Sequence, residues 1–344
     1  MSRVFRVILA SLAAALVALN GCGGGGGGDS LAGIGGTGKI ASGTITGFGS
    51  IFVNDIKYDI DNASIEVNDD DSAGLSQDDL RIGMVVTVTA VVDDNTGTGV
   101  ASLVVYDNEI EGPVSGLTDP GNGLTKSFSV LGIDVIVDSM DTDFDAGEAP
   151  NFSFVNIADG DVVEISGFFD GLNVLNATYI KKTDDFDSDS EVEFKGTADV
   201  ALVDGASTGD SFNLDGVIVN ILADADLSEV PGERVTDTMF VEVEGRLTSD
   251  NPLTIEAFRI EQEEDGLEED AGEVELEGLV SDFVDSSNFR VDDQLVDASD
   301  AEFKPADLDL RLSDGLKVEV EGTIVGGILI AKKVENEEDD EEED

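Results

Sequence analysis

Apolar and polar residues alternate with a period of two through much of the chain beyond residue 38. In "LKVEVEG", Leu316, Val318 and Val320 alternate with Lys317, Glu319 and Glu321. Successive side chains of a strand point to opposite faces, so this pattern predicts a half-buried strand with its charge on the wet face. The same middle phrase occurs four times: "VTVTA" (Val86 to Ala90), "VEISG" (Val163 to Gly167) and "VEVEG" (Val241 to Gly245 and Val318 to Gly322). An opening phrase precedes each one, around Gly43, Gly112, Gly196 and Gly278. A closing phrase follows, starting at Ala101, Ala177, Ala257 and Ala331. The distances from opening glycine to the end of the middle phrase are 47, 55, 49 and 44 residues, so the copies are one repeated unit.

Each unit reads as three strands, a variable acidic crossover and a two-strand hairpin. Asn54-Asp55 in "FVNDIKY" suits a two-residue hairpin turn, because both residue types tolerate positive φ. No stretch sustains a helical pattern over three turns, although "SQDDLRIG" (Ser76 to Gly83) predicts a short helical segment. The strand order predicts an all-β chain of small five-stranded OB-like barrels, with small β-sandwiches as the alternative. The predicted units span 39–110, 111–182, 191–262 and 272–334, and beads on a short string are expected. The acidic linkers Lys181 to Glu191 and Glu261 to Glu273 separate the later units. Residues 335–344 form a like-charge run that predicts a disordered tail.

The first segment changes the picture. Arg3 and Arg6 precede an apolar run from Val7 to Leu19, the arrangement of a secretory signal at 1–21. "LNGC" (Leu19 to Cys22) resembles the bacterial lipobox, which implies lipidation of Cys22, the only cysteine. Glycines 23–28 follow at once, so 22–38 reads as a flexible tether from a membrane. By resemblance to lipoprotein sorting, the absence of aspartate after Cys22 implies the outer membrane of a Gram-negative cell.

Composition narrows the chemistry. Lysine and arginine number 18 against 76 acids, for a formal charge of −58. Such a surface repels phosphate backbones, so nucleic acid is not an expected partner. There is no histidine, which removes the usual general base near neutral pH and the commonest metal ligand. Three tyrosines (Tyr58, Tyr106, Tyr179) and no tryptophan offer few platforms for sugars.

"GIGGTG", "SGTITGFGSIFVND" and "LRIGMVVTVTA" resemble the domain of unknown function DUF5666, found in bacterial secreted proteins and lipoproteins. The resemblance is best over Lys39 to Asn108. Units two to four lack "GFGSIFVN", and their membership rests on the internal repeat. The resemblance implies a β-rich exported domain and carries no catalytic residues with it.

Three further motifs resemble functional sites. "GIGGTGKI" (Gly33 to Ile40) approximates a phosphate-binding loop, but a glycine tether precedes it and a β-pattern follows it. "GASTG" (Gly205 to Gly209) matches a nucleophile elbow, yet Ser207 has no histidine partner and the run reads better as a hairpin loop. Asp141, Asp143 and Asp145 have the spacing of a calcium loop, with the glycine one position late and Phe152 where a glutamate belongs. Asp185, Asp187 and Asp189 repeat the spacing without a glycine. Calcium is the one cofactor considered. The expected function is a non-enzymatic, lipid-anchored envelope protein with a structural or interaction role. The alternative is a binding module for calcium, a glycan or a basic protein.

Overall fold

The computed structural model describes residues 37–68, 74–93, 95–147, 151–187, 190–263 and 272–336. The expected signal, Cys22, the tether up to residue 36 and the tail from residue 337 lie outside the described residues, as do 188–189 and 264–271 of the linkers. Repeat one comprises β1 (Thr37–Thr44), β2 (Gly47–Phe48), β3 (Ile51–Val53), β4 (Ile56–Asp59), β5 (Ser64–Val67), β6 (Val85–Asp93) and β7 (Thr98–Tyr106). Repeat two comprises β8 (Ile110–Thr118), β9 (Thr125–Val130), β10 (Ile133–Asp138), β11 (Asp143–Asp145), β12 (Asp161–Phe169) and β13 (Val174–Asp185). Repeat three comprises β14 (Glu191–Asp199), β15 (Ser211–Leu214), β16 (Val217–Asp226), β17 (Phe240–Asp250) and β18 (Leu253–Gln262). Repeat four comprises β19 (Glu273–Asp285), β20 (Asn288–Val291), β21 (Gln294–Asp297), β22 (Glu302–Lys304), β23 (Lys317–Val325) and β24 (Ile328–Glu335). Strand therefore begins two residues inside the expected tether, and it takes Glu335 from the expected tail.

The expected barrels form. In repeat two, β8, β9 and β10 make an antiparallel meander, and β10 runs parallel to β13. β13 then pairs antiparallel with β12, which returns to β8 and closes a five-stranded ring. Repeats three and four close in the same order. In repeat one the last seam, between β1 and β3, has no ladder. Phe52 O accepts from Thr46 N at 3.0 Å, and Asn54 Nδ2 donates to Ser42 O at 3.1 Å. This is the strand order of an OB barrel. Where that fold carries a helix, repeats one, three and four have a single 3₁₀ turn. The first, Gln77–Asp79, is capped by Ser76.

An opening glycine in every repeat, and a middle-phrase glycine in repeats two to four, explain how each ring closes. Every hairpin between the second and third barrel strands turns on two residues with positive φ: Asn54-Asp55, Leu131-Gly132, Asp215-Gly216 and Asp292-Asp293. That geometry matches the strand twist. The first residue of each turn lies on the opening glycine of its own repeat. A Cβ on Gly43 would strike Asn54, on Gly112 Leu131, on Gly196 Asp215 and on Gly278 Asp292. The middle-phrase glycines mark a second close approach. The register of the closing hairpin slips at Ser166/Gly167, Glu244/Gly245 and Glu321/Gly322, and at Thr89/Ala90 in repeat one. A Cβ on Gly245 would stand 2.6 Å from Glu256 O, and one on Gly322 3.0 Å from Ala331 Cα. Such bulges bend a strand around a barrel.

The repeats are joined to one another, which corrects the expectation of beads on a string. β1 pairs in parallel with β19, joining repeats one and four into a 13-stranded sheet. β8 pairs with β14, joining repeats two and three into an 11-stranded sheet. Repeats two and three also share one continuous apolar core, which runs from Ile110 to Ile260. At the β1–β19 seam, Lys39 Nζ lies 2.6 Å from Glu275 Oε2, with side-chain exposures of 4% and 6%. Thr44 N donates to Glu277 Oε2 at 2.7 Å beside it.

Removing one partner of a buried ion pair strands the other charge in low dielectric. Lys39→Met should therefore lower stability by ~3–5 kcal/mol in urea denaturation, and adding Glu275→Leu should restore most of it. Equal losses in the single and double variants would contradict a paired role.

Candidate functional site

The sequence candidates are scattered. Asp143 and Asp145 lie in β11, and Asp141 is exposed in the turn before it. Asp145 is engaged: Oδ2 accepts from Arg81 Nε at 3.0 Å and from Tyr179 OH at 3.3 Å, and Oδ1 accepts from Gly147 N at 2.8 Å. Burial opposes its ionised form, but these donors outweigh burial and hold the carboxyl below its ordinary value. Its role is an inter-repeat anchor, since Arg81 belongs to repeat one. Asp185 accepts from Lys182 Nζ at 2.5 Å, Asp187 is exposed, and Asp189 lies outside the described residues. Ser207 Oγ donates to Asp210 Oδ2 at 3.1 Å within its loop, as the hairpin reading expects.

A different group of carboxylates converges. Oxygens of Asp107, Glu193 and Glu242 lie within 4.8 Å of one another. β14 supplies Glu193, β17 supplies Glu242, and the segment after β7 supplies Asp107. Lys195, two residues along β14 from Glu193, sends its Nζ into the group. It pairs closely with Asp107 and lies 3.3 Å from Glu242 Oε2. The position that an external cation would take is held by the protein's own ammonium. Burial disfavours the charged lysine, yet Asp107, Glu242, Glu109 and Glu263 together raise its pKa well above the ordinary value.

One cation cannot satisfy so many acids. Burial, then Glu242 and Asp107, push the Glu193 carboxyl up, and its Oε1 is buried without a hydrogen-bond partner among the described residues. Burial pushes Glu109 up to about 7, with Asp107, Asp293 and Glu263 adding to it and Lys195 opposing. Burial, then Glu109, Asp293 and Glu277, raise Asp292 well above its ordinary value. Between repeats two, three and four lies a cavity of ≈ 130 Å³, lined by Glu109, Asp170, Lys195, Asp215 and Asp293 among others. Chemically, this arrangement favours the protonated form of its carboxyls.

Three glutamates at this and the neighbouring seams occupy one repeat position. Glu164, Glu242 and Glu319 are each the second residue of a middle phrase, and they are only 3%, 2% and 7% exposed. Alternation had put Glu319 on a wet face; the structure buries it, because another barrel covers that face. Thr87 holds the position in repeat one. The tyrosines follow the same logic. Tyr58, Tyr106 and Tyr179 are all fully buried. Tyr106 OH donates to Glu164 Oε1 at 2.9 Å, and its ring meets that of Tyr179 edge-on at 6.4 Å across the seam of repeats one and two. None presents a face to a sugar.

The family profile described as "Domain of unknown function (DUF5666)" matches residues 111–181 and 277–335. The two matched stretches fall in repeats two and four. The resemblance read from repeat one identified the right family, but the matched stretches lie elsewhere. No curated protein matches the chain. A solved structure titled "drosophila Unr CSD456" is 13% identical, with 54% of this chain and 79% of that chain covered and a TM-score of 0.19. The barrel assignment here rests on the strand pairings alone.

Two outcomes follow from the buried groups. Burial raises the pKa of all three tyrosines, helped by Glu275 and Glu319 at Tyr58, by Glu164 at Tyr106 and by Asp145 at Tyr179. Absorbance at the phenolate band of the native protein should stay flat through about pH 10, where the urea-unfolded chain titrates. A native rise near that pH would place a tyrosine in water. Lys195→Met should cost ~3–5 kcal/mol near about pH 8, because it leaves buried carboxylates without their cation. The cost should shrink toward about pH 5 as those carboxyls take up protons. Urea denaturation at both values measures it, and an unchanging cost would argue against charge as the cause.

Proposed function

We propose that the chain is a non-enzymatic exported lipoprotein of the bacterial cell envelope, in which four barrels act as one interaction platform on a glycine-rich tether. The observation that carries this reading is the β1–β19 seam with its Lys39–Glu275 pair. It locks the first and last repeats together through the first strand of the described residues. Cys22 and the glycine run supply the anchor in this reading, and the residue after Cys22 directs it to the outer membrane. Strand faces open to a ligand in an isolated barrel are covered here by other barrels, which suits a platform better than a set of independent binding modules.

The second reading, a binding module for calcium, a glycan or a basic protein, draws its support from the charge of −58. That excess favours a basic protein surface or loosely held calcium. Burial of the three tyrosines speaks against the glycan version.

Acyl labelling in cells should mark the wild type and leave Cys22→Ala unlabelled. Equal labelling of both would remove the anchor from the reading. Crosslinking in intact cells should then capture an envelope protein from the wild type and lose it from Cys22→Ala. Calcium titration by calorimetry separates the second reading: saturable heat below about 1 mM would favour a dedicated cation module.

A further inference from the structure

Repeats one and four make one double barrel on the β1–β19 ladder, and repeats two and three make the other on the β8–β14 ladder and a shared core. The segment after β7 carries the chain from the first to the second, and Asp107 lies on it. Lys195 Nζ touches Asp107 Oδ2. Lys195 stands opposite Glu242 in the β14–β17 register, and its Nζ lies 3.3 Å from Glu242 Oε2. Glu193 is two residues before Lys195, so strand alternation puts both side chains on one face of β14. One oxygen each of Asp107, Glu193 and Glu242 lie within 4.8 Å of one another. A primary amine, a carboxyl carbon one bond from the oxygen that the amine touches, and two further carboxyls therefore share one site.

These are the groups that an amide condensation needs: a nucleophile, an acyl carbon and proton carriers. In water an ammonium and a carboxylate remain an ion pair because both are well hydrated. Here the Lys195 side chain is only 15% exposed and that of Glu242 2%, so much of that hydration is lost. An amide carries neither charge, and standing contact replaces the encounter that a free amine and acid would need. Burial, then Glu242 and Asp107, push the Glu193 carboxyl up and favour its protonated form, so it has a proton to give. Lys195 holds its own proton firmly against solvent. That proton therefore passes to a carboxylate of the site rather than to water, and Glu242 Oε2 is placed to take it.

We propose that Lys195 and Asp107 condense in the folded chain to an isopeptide bond, which joins the connector between the double barrels to β14. Nζ passes one proton to Glu242, and Glu193 gives its proton to one Asp107 oxygen, which leaves a neutral amine beside a carboxylic acid. The Nζ lone pair attacks Cγ, and the C=O electron pair moves onto the second oxygen. Glu193 takes back a proton from the nitrogen. The C=O bond then re-forms, the Cγ–OH bond breaks, and the hydroxyl leaves as water with the proton held by Glu242. Both glutamates end as they began. One ammonium and one carboxylate become one amide and one water, with no outside reactant and no change of oxidation state. The bond ties positions 88 residues apart around the whole of repeat two, a staple that a chain with one cysteine cannot make as a disulfide. The Lys195–Asp107 ion pair is the reactant, and its pH response belongs to the chain before the bond forms.

Mass spectrometry of the purified full chain, with Cys22→Ser to keep it free of lipid, reads the bond directly. The intact mass should be one water below that of the amino-acid sequence. Trypsin should fail to cut after Lys195 and should release a branched peptide in which 82–126 is joined to 183–234. Lys195→Arg keeps a cation beside Glu242 but has no amine to acylate, so it should show the full mass and linear peptides only. Glu193→Gln with Glu242→Gln removes the proton carriers and should lower the linked fraction at least about tenfold, with native sheet content checked by circular dichroism. A chain of full mass that yields only linear peptides would overturn the bond, and that outcome depends on no variant. A branched peptide that persists in Lys195→Arg would overturn it too, since the link would then join other residues. A double-glutamine variant linked as fully as its parent would overturn the proton relay.

Discussion

The structure depends on a shortage of cations. Eighteen basic residues face 76 acids, and the barrels still dock through faces that carry carboxylates. A buried carboxylate needs a partner charge, several donors or a proton, since low dielectric penalises the bare ion. The seams use all three. Lys39 answers Glu275, backbone and hydroxyl donors of Thr44 answer Glu277, and the raised pKa of Glu109 favours its protonated form. Which remedy a seam uses decides how it responds to pH and salt.

Within a barrel the controlling contacts are steric. The opening glycine admits the first residue of the hairpin turn, and the middle-phrase glycine admits the backbone of the closing strand. The turn residue is then free to differ among repeats, because its fit depends on a missing Cβ rather than on its own chemistry. Repeat two places Leu131 there and extends its core, while repeat four places Asp292 there and sends an acid into the junction. One unit thus gives four barrels with different exteriors.

The sequence carried the barrel and not its neighbours. Strand order, the Asn54-Asp55 turn and the short helical segment after Ser76 were legible because each depends on residues close together in the chain. The burial of Glu164, Glu242 and Glu319 was not. Alternation separates two faces of a strand, but it says nothing about what covers the second. The β1–β19 seam joins residues more than two hundred positions apart, as in the Thr44–Glu277 hydrogen bond, and no local pattern announces it. A signal was nonetheless present. Three copies keep glutamate in a single position of the middle phrase, where solvent exposure alone would tolerate any polar residue. The burial of the tyrosines was not legible either, since a count of three describes supply and not placement.

The two places where the double barrels meet differ in physical kind, and that difference gives the fold a direction. The seam of repeats one and two holds Tyr106 against Tyr179, with Arg81 on Asp145 and Lys181 Nζ 2.9 Å from Glu164. Two of its acids have cations of their own, Asp143 lies against Gly83, and its aromatic packing does not titrate below the tyrosine range. The junction on the other side has carboxylates in excess and Lys195 as their shared cation. The surplus acids of the chain are therefore unevenly placed: one contact between the double barrels is made of ion pairs and packed rings, and the other gathers carboxylates around Lys195 and Lys317.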